Sequence, residues 1–171
     1  MIRSLALLVW LVACFSSTIA CAQSAPADDA AAEQAKRETA LAEMLSGATL
    51  DGSFTVTGPG HDAAQLSREK YTLGTVKKID AKKLDGKLWL IPARIQYGGK
   101  DAQLPITLPI EWAGDTPVVV VDNVGLPGFG TVSARVMFFA DHYAGYWQHG
   151  EAGGHLFGTI HRQKKAAAAS E

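Results

Sequence analysis

Four of the five histidines of this 171-residue chain fall between Asp141 and His161, in the stretch DHYAGYWQHGEAGGHLFGTIH. His149 and His155 flank Gly150-Glu151-Ala152-Gly153-Gly154, which reads as the turn of a closing hairpin, so the two imidazoles are expected to face each other across the ladder. Neutral imidazoles so placed are metal ligands. A zinc site needs at least three protein ligands, and the third would have to come from His142, Asp141, Glu151 or His161. No paired ligand spacing of the zinc kind is present, so the histidines read as cross-strand polar residues, with no metal and no cofactor assigned.

Other chemistry is sparse. There is no G-x-S-x-G elbow, no H-E-x-x-H and no G-x-x-x-x-G-K-[ST], and the chain reads as a non-enzyme. Gly125-Leu126-Pro127-Gly128-Phe129-Gly130 resembles a phosphate cradle, but it precedes a strand, and Pro127 lacks the N–H the task requires; it reads as a turn. Arg94 and Arg135 sit mid-strand among apolar residues, where alternation turns them to solvent; inside a cavity they would bind a carboxylate. What remains is apolar contact. Phe54, Tyr97, Trp112, Tyr146 and Trp147 form the aromatic set that could hold a small hydrophobic or amphiphilic ligand.

The elements that must position these residues begin after a targeting segment. Residues 1–22 carry Arg3, an apolar stretch and the small-x-small site Ala20-Cys21-Ala22, the pattern of a signal peptide, so the protein is expected to be exported, periplasmic or secreted. Both cysteines, Cys14 and Cys21, lie in it, and each follows small and apolar residues as a lipidated cysteine does. Simple cleavage after Ala22 and a lipoprotein anchor both fit. A mature chain without cysteine must rely on packing rather than disulfides. With 16 basic and 17 acidic residues in the whole chain, there is no electrostatic case for nucleic acid.

Residues 23–47 read as a tether and helix. Asp28 and Asp29 suit a helix start, Gly47 a stop, and the stripe Leu41, Met44, Leu45 implies docking by the last turn only. Residues 48–163 read as one all-β domain and 164–171 as a frayed tail. Alternation is plain in Thr49 to Thr57, in the hairpin Trp89–Tyr97 and Gln103–Trp112 around Gly98-Gly99, and in Gly130 to Ala140. A weaker strand spans Tyr71 to Ile79, and His61 to Lys70 reads as a polar loop. The continuous run Val118 to Val121 suggests burial on both faces. Pro105 and Pro109, four apart, remove donors from the same side of their strand, which marks a loosely paired seam or an edge. Eight strands without intervening helices argue for an antiparallel meander closed into a small barrel, with a sandwich as the alternative. Leu50, Phe54, Ile95, Tyr97, Leu108, Ile110 and Val136 should then point inward, with Gly52, Gly145 and Gly158 withdrawing bulk. A pocket is expected near one mouth, with Trp112 or Trp147 on its wall.

The runs Trp112-Ala113-Gly114-Asp115-Thr116-Pro117, Tyr143-Ala144-Gly145-Tyr146-Trp147-Gln148-His149-Gly150 and Gly153-Gly154-His155-Leu156-Phe157-Gly158 resemble a family of uncharacterised secreted bacterial proteins. That resemblance implies an exported single domain and brings no activity with it. The meander and its small-and-aromatic closing strands are also similar to the calycins, the lipocalin-like ligand-binding barrels, although Gly52-Ser53-Phe54 lacks the Gly-x-Trp of their first strand. Two functions follow: a binding module for a small apolar ligand, or a non-enzymatic envelope protein that docks a partner through its surface or sheet edge. The leader makes one prediction testable without knowing the function. N-terminal sequencing and mass analysis of the exported protein should find a chain starting at Gln23 or at a lipidated cysteine, and Met1 in the exported form would refute this.

Overall fold

Period-2 alternation of apolar residues runs through most of the chain after its first helix, and a strand that buries one face must find a partner face or close on itself. The computed structural model describes residues 27–79, 86–97 and 99–162. The leader, both cysteines, the start of the tether, the tail and the Tyr97 side chain lie outside the described residues. Helix α1 (Ala27–Leu45) is followed by β1 (Thr49–Thr55), β2 (Leu66–Leu73), β3 (Lys77–Lys78), β4 (Leu88–Tyr97), β5 (Lys100–Ala113), β6 (Thr116–Leu126), β7 (Gly130–Phe139), β8 (His142–His149) and β9 (Ala152–His161). Neighbours are antiparallel in the order β2-β1-β9-β8-β7-β6-β5-β4, and β2 pairs back onto β4, Glu69 opposite Tyr97 through Leu73 opposite Ala93. Eight strands thus close into a barrel. The short β3 pairs with the other half of β4, Lys77 opposite Leu90, and continues the line of β2 after a break at Gly74 to Val76.

Three details depart from the reading of the sequence. Strand β2 starts at Leu66, inside the stretch read as a polar loop, because its outer face carries Arg68 and Lys70 while a carboxylate, Glu69, takes an inward position and masks the alternation. The valine run of β6 is buried only at Val119 and Val121; a single-layered barrel leaves Val118 and Val120 half-buried outside. The final turn is Gly150-Glu151 alone, since His149 pairs with Ala152. Gly153 and Gly154 belong to β9, where a Cβ at Gly154 would collide with the Thr55 carbonyl.

The prolines mark a seam, as their spacing implies. Ile110 donates its N–H to the Lys87 carbonyl on the β4 side, so alternation turns Pro105 and Pro109 towards β6. The β5–β6 ladder is confined to Ile110–Ala113 against Thr116–Val119. Beyond it the two strands run without paired residues.

Helix α1 closes one end of the barrel. Leu41 and Leu45 are buried and Met44 half-buried, so the last turn docks as expected. The contact also extends up the helix: Glu38 accepts from Lys78 at 2.6 Å, and Arg37 bonds Asp115 at 2.6 Å while lying 5.8 Å from the centre of the Trp112 ring. No helix among the described residues is long and apolar enough to cross a membrane.

Inward positions agree with the alternation. Leu50, Phe54, Ile95, Leu108 and Ile110 are buried and Val136 is half-buried. One row across the barrel, Glu69–Gly52–Gly158–Tyr143, has no side chain at its two middle positions. Across that gap lies the Tyr143 ring. A Cβ at Gly52 would collide with the Phe157 carbonyl and the Tyr143 hydroxyl, and one at Gly158 with the Asp51 carbonyl and the same ring. Replacing either glycine by alanine should therefore lower stability by about 1–3 kcal/mol through overpacking. Gly125→Ala, where nothing lies within 4 Å of the added carbon, should change it by less than about 0.5 kcal/mol. Denaturant unfolding of the three variants measures the difference.

Candidate functional site

The barrel interior is not filled. A cavity of about 230 Å³ runs between its walls, many times the ~30 Å³ share of one liquid water. Leu45 of α1 reaches it from the closed end; Phe54, Trp147 and Phe129 border it towards the other. Phe129 is brought there by the tight β6–β7 connection, in which Gly128 and Gly130 both take left-handed φ (79° and 81°) that a larger residue would resist. Lys100 fastens this loop from β5, donating to the Gly128 carbonyl at 2.6 Å with its ammonium 5.2 Å from the centre of the Phe129 ring. Phe129 is left only 3% exposed.

The wall is apolar with one exception that matters. Glu69 lines the cavity and is 4% exposed, the one buried charged residue among the described residues. Its two oxygens are held separately: the Tyr71 hydroxyl donates to Oε2 at 2.7 Å and the Tyr143 hydroxyl to Oε1 at 2.8 Å. Tyr71 stands two residues along β2 on the same face, and Tyr143 reaches over the glycine gap from β8. Burial pushes the Glu69 carboxyl above its usual 4.5, and the two hydroxyl donors pull partly against that shift. Tyr143 moves upward strongly, first by burial and then by the adjacent Glu69 charge, so it remains a protonated donor. Effective desolvation of a buried ion costs several kcal/mol, and a hydrogen bond to a charged group returns about 1.5–3 kcal/mol. Two such bonds offset the penalty only in part.

One polar atom of the cavity wall is unmatched. The Trp147 indole N–H is buried without an acceptor among the described residues, while its ring meets Phe54 edge-on at 6.0 Å between centroids. Such an orphan donor is uncommon in native interiors.

The aromatic set read from the sequence divides. Phe54 and Trp147 line the cavity. Tyr146, next to Trp147 and hence on the opposite face, is 47% exposed and packs edge-on against His155. Trp112 sits under Arg37 at the helix end, outside the cavity wall. Tyr97 ends β4, and its side chain lies outside the described residues. The histidine pair separates too. His149 lies over Gly130 of β7, whereas His155 is opposite Tyr146, because the turn is three residues shorter than expected. Among the described residues no group of three or more metal-ligating side chains converges. Arg94 and Arg135 face outward: Arg94 grips both Asp101 oxygens at 2.8 and 2.6 Å, and Arg135 donates to the Val121 carbonyl at 2.7 Å.

Glu69, Tyr71, Tyr143 and Phe129 were not among the site residues singled out in the sequence. The signal for the first two is phase: stepping back by two from Leu73 and Tyr71 places Glu69 on the inward face. Nothing local marks Tyr143 as its partner, 74 residues away. No family model, curated protein or solved structure matches the chain, so the resemblances rest on the quoted motifs alone.

The Glu69 carboxyl binds its proton more tightly in the folded than in the unfolded protein. Stability should therefore fall as pH rises from about 4.5 through the raised folded value, and Glu69→Gln should flatten that slope. Tyr143→Phe should cost about 1–3 kcal/mol above this window, where an ionised oxygen loses its donor, and less below it. Denaturation across the pH range reads both.

Proposed function

We propose that this barrel is an exported, non-enzymatic binding module that holds a small hydrophobic or amphiphilic ligand in its interior. The observation that carries the reading is the cavity itself: about 230 Å³, bounded mostly by aliphatic and aromatic side chains, with a few polar groups placed to orient an occupant. The Trp147 indole N–H, buried on the same wall without a partner, is a polar point that packing of the interior leaves unused. The unpaired length of the β5–β6 seam and the Phe129 loop beside it offer a way in. Export rests on the leader, with a lipid anchor at Cys14 or Cys21 as the form that would keep the barrel at a membrane.

A second reading has its own observation. Met137, Phe139, Tyr146 and Phe157 are exposed on the outer face of β7, β8 and β9, Phe139 at 70%, and such a face suits an envelope protein partner. The two readings part in a titration. With 1-hexanol as probe, ligand binding should raise the melting temperature and change tryptophan emission. Trp147→Ala should weaken that binding at least tenfold, about 1.4 kcal/mol, whereas Trp112→Phe should leave it intact. A wild-type protein whose melting temperature and emission ignore saturating hexanol would favour the surface-docking reading.

A further inference from the structure

The polar group in the cavity narrows the class of ligand, granted the binding reading above. Each Glu69 oxygen accepts one tyrosine hydroxyl, and an ionised carboxylate has about four acceptor positions, so roughly two stay open. Both hydroxyl protons of the cluster are already committed to Glu69. What the cluster presents to a ligand is therefore acceptors without donors, carrying one negative charge. No lysine, arginine or histidine lines the cavity among the described residues to neutralise it. A carboxylate ligand would meet like charge there, and an alcohol could satisfy one acceptor. An ammonium group offers three donors, no acceptor and the missing positive charge in a compact head.

We infer that the cavity selects small amphiphilic amines, a cationic head hydrogen-bonded to Glu69 and an apolar body lying among Phe54, Leu108 and Val136. Tyr71 and Tyr143 are positioning residues in this scheme, fixing the carboxylate against the wall. Of the groups that bear on Glu69, Tyr71 on β2 and Tyr143 on β8 bond it directly. The Arg68–Asp51 ion pair on the outer surface of β2 and β1 acts on Tyr143 through the wall. Only ionised Glu69 attracts the cation. Amine binding should weaken as pH falls through the raised Glu69 value, and in that range it should release a proton to solvent.

The test compares hexylamine, 1-hexanol and hexanoate, which have six carbons each and differ in the head, by calorimetry with the intact mature protein across the pH range from about 4.5 upward in which it stays folded. The amine should bind wild type at least tenfold more tightly than the alcohol at the upper end, with hexanoate weakest, and the advantage should vanish towards the lower end. Glu69→Gln should bring the amine down to the alcohol. Should that variant fail to give a melting transition, Tyr71→Phe serves instead: removing one donor should shift the midpoint of the amine advantage to higher pH. Equal affinity for amine and alcohol in wild type overturns the inference while leaving the cavity reading standing, as does an amine preference that survives Glu69→Gln or a midpoint that Tyr71→Phe does not move. If none of the three binds, the cavity reading falls and takes the inference with it.

Discussion

A carboxylate buried in an aliphatic barrel needs donors, and the wall around Glu69 cannot supply them from its backbone because β4, β2, β1, β9 and β8 are there already paired with one another. The donors must be side chains on the same inner surface. Tyr71 is near enough along β2, but the second hydroxyl comes from β8, two strands beyond β1. It can cross only if the intervening strands present nothing. Gly52 and Gly158 meet that requirement, and the bare backbone of β1 and β9 under the Tyr143 ring is the consequence. The reach of Tyr143 to that charge uses two glycines that the close approach of the β1 and β9 backbones requires as well.

The Tyr143 ring takes the room that the two glycines leave, and the cavity lies among the larger side chains beyond it. Eight strands enclose a space that side chains can fill or a small ligand can occupy. The two ends are treated differently. At one, Leu41 and Leu45 of α1 seal the core, and the ion pairs of Arg37 and Glu38 fix the helix across the strand ends. At the other, the Phe129 ring on a short glycine-flanked loop is buried against the core, with Lys100 bonded to the same loop. Next to it, Pro105 and Pro109 keep β5 from completing its ladder with β6. Permanent closure and a lightly fastened side therefore lie at opposite ends.

How far this could be read from the chain follows from the range of the interactions involved. Alternation is a property of neighbours, so strand existence, barrel closure, the seam at the prolines and the inward set from Leu50 to Val136 were legible. Phe54 was legible as a cavity residue for the same reason, whereas Trp147 was singled out together with its neighbour Tyr146, which lies on the opposite face. The place of Trp112 was not legible: it shares the phase of Leu108 and Ile110 but stands at the end of β5 under Arg37, outside the cavity wall. The histidines misled because glycine serves two purposes: Gly150 turns the chain, but Gly153 and Gly154 admit a neighbouring backbone, and only the fold distinguishes them. A turn three residues shorter than expected was enough to take His149 and His155 out of register.

The strand whose beginning was misread is also the one that carries the charge, and the two facts have a common cause. Reading a strand from its pattern assumes that inward residues are apolar, which holds wherever stability alone sets the residue. Glu69 breaks the assumption at a cost: an apolar side chain of similar volume at that position would avoid the desolvation penalty. A local rule broken inside an otherwise consistent core is expected where function sets the residue rather than packing. A cavity that served only to reduce packing would need no carboxylate, and a carboxylate that served only structure would have no reason to lie against a cavity. Their coincidence on one wall is the physical ground for reading the interior as a binding site with a polar end.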